Sequence, residues 1–410
     1  MQILFMGSYF PGSFKQLLTY FVQSAKDRPC KIVFISEHRR RDFNLPFVKQ
    51  ISVRFPRAAR SISNIEQIAL NSVNHMEAFT YAMQSLKEKG FYPDIVIASD
   101  NSISGVARVF PRACAINYAT WYYEKMKDQV LVQHNKLLAN AIKPLHIQAP
   151  FQIQAILNSH CTIVANETQK GTYPKILQNK IFSLSNGVDI DFCNSHNHTE
   201  RADIMEAIRP EVRELLNKRE LISYIARNSD EYSAFSTVCE AVPYVLAARP
   251  QSELIIITQS VASTENNLEY KKMLEIAGNR VHIISQCTWN EYFALLRQSA
   301  LCIYMNISQL FPSAVLDAMY ASCLVVGSDT EAVREMIKHK ENGFLVDFFN
   351  SQLLTDTVIS ALELDAKEKE RIYQNAKELV LETYNSEKLI PMHYNFILRL
   401  YEKIRENELS

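Results

Sequence analysis

The first half of the chain alternates short apolar runs rich in β-branched residues with longer stretches whose apolar positions recur every three to four residues. That rhythm predicts parallel strands joined by crossover helices. QILFMG (2–7) is the first strand, and KIVFIS (31–36), the weaker QISVRF (50–55), DIVIAS (94–99), ACAINY (113–118) and CTIVAN (161–166) follow, with helices over 13–26, 65–88 and 149–158. Tyr92-Pro93-Asp94 reads as a turn that launches a buried strand.

The rhythm restarts after the polar stretch CNSHNHTERAD (193–203), with LISYIAR (221–227), ELIIIT (253–258), VHIIS (281–285), LCIYMN (301–306), CLVVGS (323–328) and FLVDF (344–348). The expected organisation is therefore two doubly wound α/β domains, 1–192 and 204–385, joined by a linker at 193–203. Residues 386–410 place Leu389, Met392, Phe396, Ile397, Leu400 and Ile404 on one stripe. This predicts an amphipathic helix that packs back across the domains. Ligands of doubly wound folds bind outside the carboxyl ends of the strands, so function is expected in a cleft between the domains.

Composition narrows the classes. A length of 410 residues suits two or three domains, and 47% apolar with 21% charged residues is that of an ordinary folded chain. No apolar run reaches the roughly 18 residues of a membrane span, and the start MQILFMGSYFPG has no basic signal-peptide head, so a cytoplasmic chain is expected. Lysine plus arginine and aspartate plus glutamate both number 44, which leaves no overall field to attract nucleic acid. One local exception is the basic set His38, Arg39, Arg40, Arg41, Lys49, Arg54, Arg57 and Arg60, opposed by Glu37 and Asp42. It is either a solvated loop or a surface for anionic lipid or an anionic acceptor, which would make the protein peripheral to the membrane.

The eight cysteines are scattered singly, and no His, Cys, Asp or Glu set has metal-ligand spacing, so no metal or other cofactor is expected. Neither GxSxG nor a Walker loop is present, which disfavours hydrolases and NTPases. His282 and His339 stand alone and read as structural.

Four segments carry a family resemblance: ILFMGSYFPGSFKQL at the start, FSLSNGVDIDF (182–192), YIARNSDEYSAF (224–235) and FPSAVLDAMYASCLVVGSDTEAVREMIKHKENGFLVDFF (311–349). Over essentially its whole length the chain resembles glycosyltransferase family 4 of the GT-B fold, two Rossmann-like domains around a cleft. The resemblance implies a nucleotide-sugar donor, a saccharide, lipid-linked or protein acceptor, and a retaining, metal-independent transfer, as in polysaccharide biosynthesis. A departing diphosphate needs cations or N–H groups aimed at its oxygens. The family supplies an Arg at the end of the first strand of the second domain, here Arg227, and a basic residue a few positions on, here Ser233 followed by Ala234. Backbone amides near Ser313 and Ala314 would help.

The family's ribose-binding Glu is Asp317 in this chain, an acid about 1.5 Å shorter in reach. Its second Glu, which contacts the transferred sugar, is Gln309. Gly7 and Gly12 stand in the loop beneath the donor phosphates, whereas Pro312 and Ser313 occupy positions where a Gly is frequent. The catalytic-side His or Glu of the first domain has no obvious counterpart, although Thr120 lies near its place.

Each of these residues also has a plainer reading. Arg227 could pair with Asp230 or Glu231, Asp317 could merely be an exposed or capping helix residue, and the two glycines could serve the turn alone. Tyr118, Trp121, Tyr122 and Tyr123 could stack on an acceptor sugar or belong to the core. Two functions stay open at this point. One is the transferase, with Arg227 on the diphosphate, Asp317 on the ribose and Gln309 on the sugar; the other is an inactive relative that binds a saccharide or supports a partner protein.

Overall fold

A computed structural model describes residues 1–25, 29–38, 45–56, 64–120, 122, 139–195, 206, 208–226, 234–258, 261–306 and 311–409. The chain divides into two compact units, Met1–Asn186 with Glu387–Ser410, and Gly187–Ser386.

Unit 1 holds seven parallel strands: β1 (Gln2–Tyr9), β2 (Lys31–His38), β3 (Val48–Ser52), β4 (Ile95–Ser99), β5 (Cys114–Tyr118), β6 (Cys161–Val164) and β7 (Ile181–Ser183). Their order is β3-β2-β1-β4-β5-β6-β7, so chain direction across the sheet reverses between β1 and β4. Both faces are covered. Side chains alternate across a strand, and accordingly Ile3, Phe5, Ile32 and Phe34 enter one core layer while Leu4, Met6, Val33 and Ile35 enter the other. The helix Asn64–Glu88 lies against the second layer through Phe79 and Met83.

Unit 2 repeats the plan with six parallel strands: β8 (Glu220–Ile225), β9 (Ser252–Thr258), β10 (Val281–Ser285), β11 (Ser299–Tyr304), β12 (Leu324–Ser328) and β13 (Phe344–Val346). The order β10-β9-β8-β11-β12-β13 puts its reversal between β8 and β11. Ile222, Leu254 and Ile303 meet Val242, Leu246 and Val358 on one face. Leu221, Ile255 and Ile257 line the other with Leu295.

Each strand read from the pattern has a counterpart, although the one expected at 50–55 lies at Val48–Ser52, and three further differences appear. β1 runs two residues past Gly7, because Gly7 pairs with Ser36 and Tyr9 with His38. Gly7 is thus a strand residue and not a loop residue; a Cβ there would sit 3.1 Å from Ser99 Oγ, so the glycine lets β1 and β4 approach. β7, only three residues long, carries no periodicity to read. The expected linker at 193–203 begins inside the helix Ile190–Ser195, whose Cys193 is buried, while residues 196–203 lie outside the described residues.

The C-terminal helix Ser386–Leu409 returns the chain to unit 1. Ile390, Ile397 and Leu398 complete the layer formed by Phe5 and Phe21. Its fully buried His393 faces the Tyr118 hydroxyl at 2.9 Å through Nδ1 and the Ser185 carbonyl at 3.0 Å through Nε2. Among the described residues no helix is long and apolar enough to cross a membrane.

Candidate functional site

Open parallel sheets bind ligands where the strand order reverses, outside the carboxyl ends of the strands on either side. In unit 2 those strands are β8 and β11. The chain leaving β8 carries Arg227 and Ser233, and the chain leaving β11 carries Gln309; all three lie outside the described residues. Ala234, next after Ser233, adopts the left-handed conformation at φ 49° and leads into the helix Phe235–Ala248. At the end of β11, Ser328 Oγ donates to the Asn306 carbonyl at 2.8 Å and receives the Asn306 N–H at 3.3 Å, which ties the ends of β11 and β12 together.

The helix Ser313–Tyr320 begins just beyond. Proline at its N-cap offers no side-chain cap, and the Ser313 N–H donates to the Phe311 carbonyl at 2.8 Å. Ser313 is therefore engaged locally, and Ala314 stands half-buried in the first turn, where helix N–H groups lack an intrahelical acceptor. One turn on, Asp317 is half-buried and neither exposed nor capping. Its Oδ2 accepts from the Tyr292 hydroxyl at 3.3 Å. Burial pushes the Asp317 carboxyl up to about 7, against the opposing pull of that hydrogen bond.

Tyr292 carries no motif, and as one aromatic residue in an amphipathic helix it reads as core. It belongs to the helix Trp289–Gln298, whose start is fixed by a capping box between Thr288 and Glu291. Its ring packs edge-on to Trp289 and Phe293, with centroids 5.8 and 5.3 Å away.

Unit 1 reverses between β1 and β4, and its polar groups gather at the same end of the sheet. Gly12, at φ 54°, makes the turn after β1. Asp100, directly after β4, is held at φ 49°, a left-handed conformation that a short acid tolerates better than most side chains. Burial raises its carboxyl to about 6, while His75 and the Thr120 N–H pull it down. His75 Nε2 lies 3.2 Å from Glu37 Oε1, at the end of β2. Beside Asp100, Asn101 Oδ1 and Ser104 Oγ are buried with no hydrogen-bond partner among the described residues. Thr120 serves through its backbone, donating to Asp100 and accepting from the Tyr173 hydroxyl at 2.8 Å. The signal for Asp100 was present in the sequence, as an acid ending a buried strand; Glu37 and His75 come from distant segments and share no spacing.

The remaining candidates resolve mostly to structure. Tyr118 bonds His393, and Tyr122 is buried against Tyr173, so both belong to the core; Trp121 and Tyr123 lie outside the described residues. His282 pairs with Glu253 at 2.6 Å, and His339 Nδ1 accepts the Leu345 N–H at 3.0 Å. Of the basic set, Arg39, Arg40, Arg41, Arg57 and Arg60 lie outside the described residues, and His38 stacks on Tyr9 at 4.7 Å.

Residues 207–379 match the family model "Glycosyl transferases group 1", and residues 28–193 match "Glycosyl transferase family 4 group". A search of curated protein sequences returned no match. Among solved structures, sucrose-phosphate synthase from Thermosynechococcus elongatus superposes with a TM-score of 0.70 at 13% identity, covering 98% of this chain and 100% of that one. Anabaena HepE in complex with UDP-glucose gives 0.65 at 14% identity and full coverage of both chains, 100% each. A UDP-forming trehalose-phosphate synthase from Burkholderia xenovorans gives 0.70 at 10% identity, covering 97% and 99%. Two family matches that between them take in most of the chain, on two sheets of this strand order, place the protein in glycosyltransferase family 4 as a glycosyltransferase of GT-B architecture.

Proposed function

We propose that the protein transfers a sugar from a nucleoside diphosphate sugar to a hydroxyl of a saccharide, lipid-linked or protein acceptor, with retention of configuration and without a metal ion. Unit 2 holds the donor. The observation that carries this reading is the strand order of unit 2: the two strands at its reversal, β8 and β11, are the ones whose following segments carry Arg227, Gln309 and the acid-bearing helix of Asp317.

Arg227 stabilises the charge that develops on the departing diphosphate, assisted by the first turn of the helix at Ala314. Asp317 accepts from the ribose, and Gln309 hydrogen-bonds the transferred sugar. Unit 1 receives the acceptor. Asp100, with Asn101 and Ser104 beside it, supplies hydrogen-bonding groups for its hydroxyls. As the bond from the anomeric carbon to the diphosphate oxygen breaks, the acceptor oxygen bonds that carbon from the same face, and its proton passes to the departing phosphate. Uridine is the first base to test, since HepE was solved with UDP and UDP-glucose.

Calorimetric titration with UDP-, GDP- and ADP-sugars, together with a product assay, tests this. At least one donor is expected to bind, and Arg227→Ala is expected to lower turnover roughly 10²- to 10³-fold. Absence of binding by every donor would overturn the proposal.

A further inference from the structure

An aspartate stands where the resemblance calls for a longer acid, and the structure gives it a companion. Asp317 Oδ2 is taken by the Tyr292 hydroxyl at 3.3 Å. That tyrosine is constrained at its ring and at its backbone. Its ring meets Trp289 and Phe293 edge-on, with centroids 5.8 and 5.3 Å away, and its main-chain N–H donates to the Thr288 carbonyl at 2.9 Å within the capped first turn of its helix. A tyrosine so fixed has little freedom to turn away, and the shorter acid is drawn to a defined place with Oδ1 left as its remaining acceptor.

From this geometry we propose that Tyr292 is a positioning residue for donor binding: it holds the Asp317 carboxylate by Oδ2 so that Oδ1 is offered to a ribose hydroxyl. The inference rests on the reading of Asp317 as the ribose acid. It differs from a role in packing alone because it ties a half-buried phenol to the state of a titrating carboxylate.

Besides Tyr292, two ionisable groups on neighbouring elements face Asp317. Cys193 comes from the helix Ile190–Ser195 and Cys302 from β11, and Arg297 in turn faces Cys193. Burial pushes both thiols up to about 12, and Tyr292 well above its ordinary value, so these three stay protonated through the neutral range. Asp317 is the member of this set that titrates there. An ionised carboxylate is the better acceptor for a ribose hydroxyl, so donor affinity is gained as pH rises through about 7. Tyr292 donates to the ionised form and lowers the acid, so removing the hydroxyl moves that transition to higher pH.

The test is calorimetry with UDP, GDP and ADP from pH 6 to 9 on the full chain, comparing wild type, Tyr292→Phe and Asp317→Ala, with a ¹³C carboxyl titration of Asp317 in the nucleotide-free protein. Tyr292→Phe is expected to weaken binding roughly three- to tenfold near neutral pH, with the midpoint of the affinity profile and of the Asp317 titration both displaced upward. Circular dichroism establishes that the variant is folded. If Asp317→Ala weakens binding while Tyr292→Phe leaves both midpoints in place, the positioning role is overturned and the ribose reading stands. If Asp317→Ala binds every nucleotide as wild type does, both fall together.

Discussion

The acids at the two strand reversals are the residues that most reward measurement. Asp317 is pushed up to about 7 by burial, so the folded state retains a proton that the unfolded chain releases at ordinary carboxylate pH. Its contribution to stability is full in acid and declines as pH rises from about 4 to 7, where the folded carboxyl finally ionises. Asp317→Asn keeps an oxygen for Tyr292 and removes that charge. The variant is expected to melt higher than wild type at pH 8, by roughly 1–2 kcal/mol after allowing for its partial exposure, with no gain near pH 4. Thermal melts across that range check it, and a uniform gain at every pH would contradict the titration argument. Asp100 makes a separate case. Asp100→Asn is expected to raise the KM for the acceptor and spare the affinity for the donor nucleotide, which initial rates at varied acceptor and donor concentrations distinguish.

At the scale of elements, two contacts decide how unit 1 closes. Gly105 lies where a Cβ would strike the Thr80 hydroxyl and touch Met83 on the helix Asn64–Glu88. Thr80 cannot swing aside without giving up its hydrogen bond to the Met76 carbonyl at 2.8 Å. Gly105→Ala is therefore expected to cost about 1–3 kcal/mol, and Thr80→Ala in the same chain is expected to recover part of it. A double-mutant cycle in urea supplies the numbers. The second contact is His393, buried between Tyr118 and Ser185. Burial lowers its pKa, so the folded state favours the neutral ring and loses stability as pH falls through the unfolded value near 6.5.

For the whole molecule, the division into units implies an asymmetry. Unit 2 is one continuous segment, Gly187–Ser386, whereas unit 1 is completed by Glu387–Ser410 from the far end of the chain. Residues 187–386 produced alone are expected to unfold cooperatively. Residues 1–186 alone lack the helix that covers Phe5, Phe21 and their neighbours, and are expected to gain a cooperative transition only when 387–410 is supplied. Denaturation of the separate pieces checks this, and a cooperative 1–186 without the helix would mean that its apolar layer closes by other means.

Apolar runs flanked by turns, repeated through each half, determined by themselves that the chain forms two parallel α/β sheets, because a strand buried on both faces must be apolar throughout. The long segment 311–349 likewise determined the family. Local pattern also made Asp317 visible, since its helix carries a motif. It could not show Tyr292, which looks like any core aromatic until two helices bring it to 3.3 Å from that acid. Nor could it show the meeting of Glu37, His75 and Asp100, or the extension of β1 past Gly7, which depends on its neighbour β2. The amphipathic stripe of the last helix announced a need for a partner surface. Only the fold chose unit 1 as that surface, because periodicity records which face of an element is buried and holds no information about what buries it.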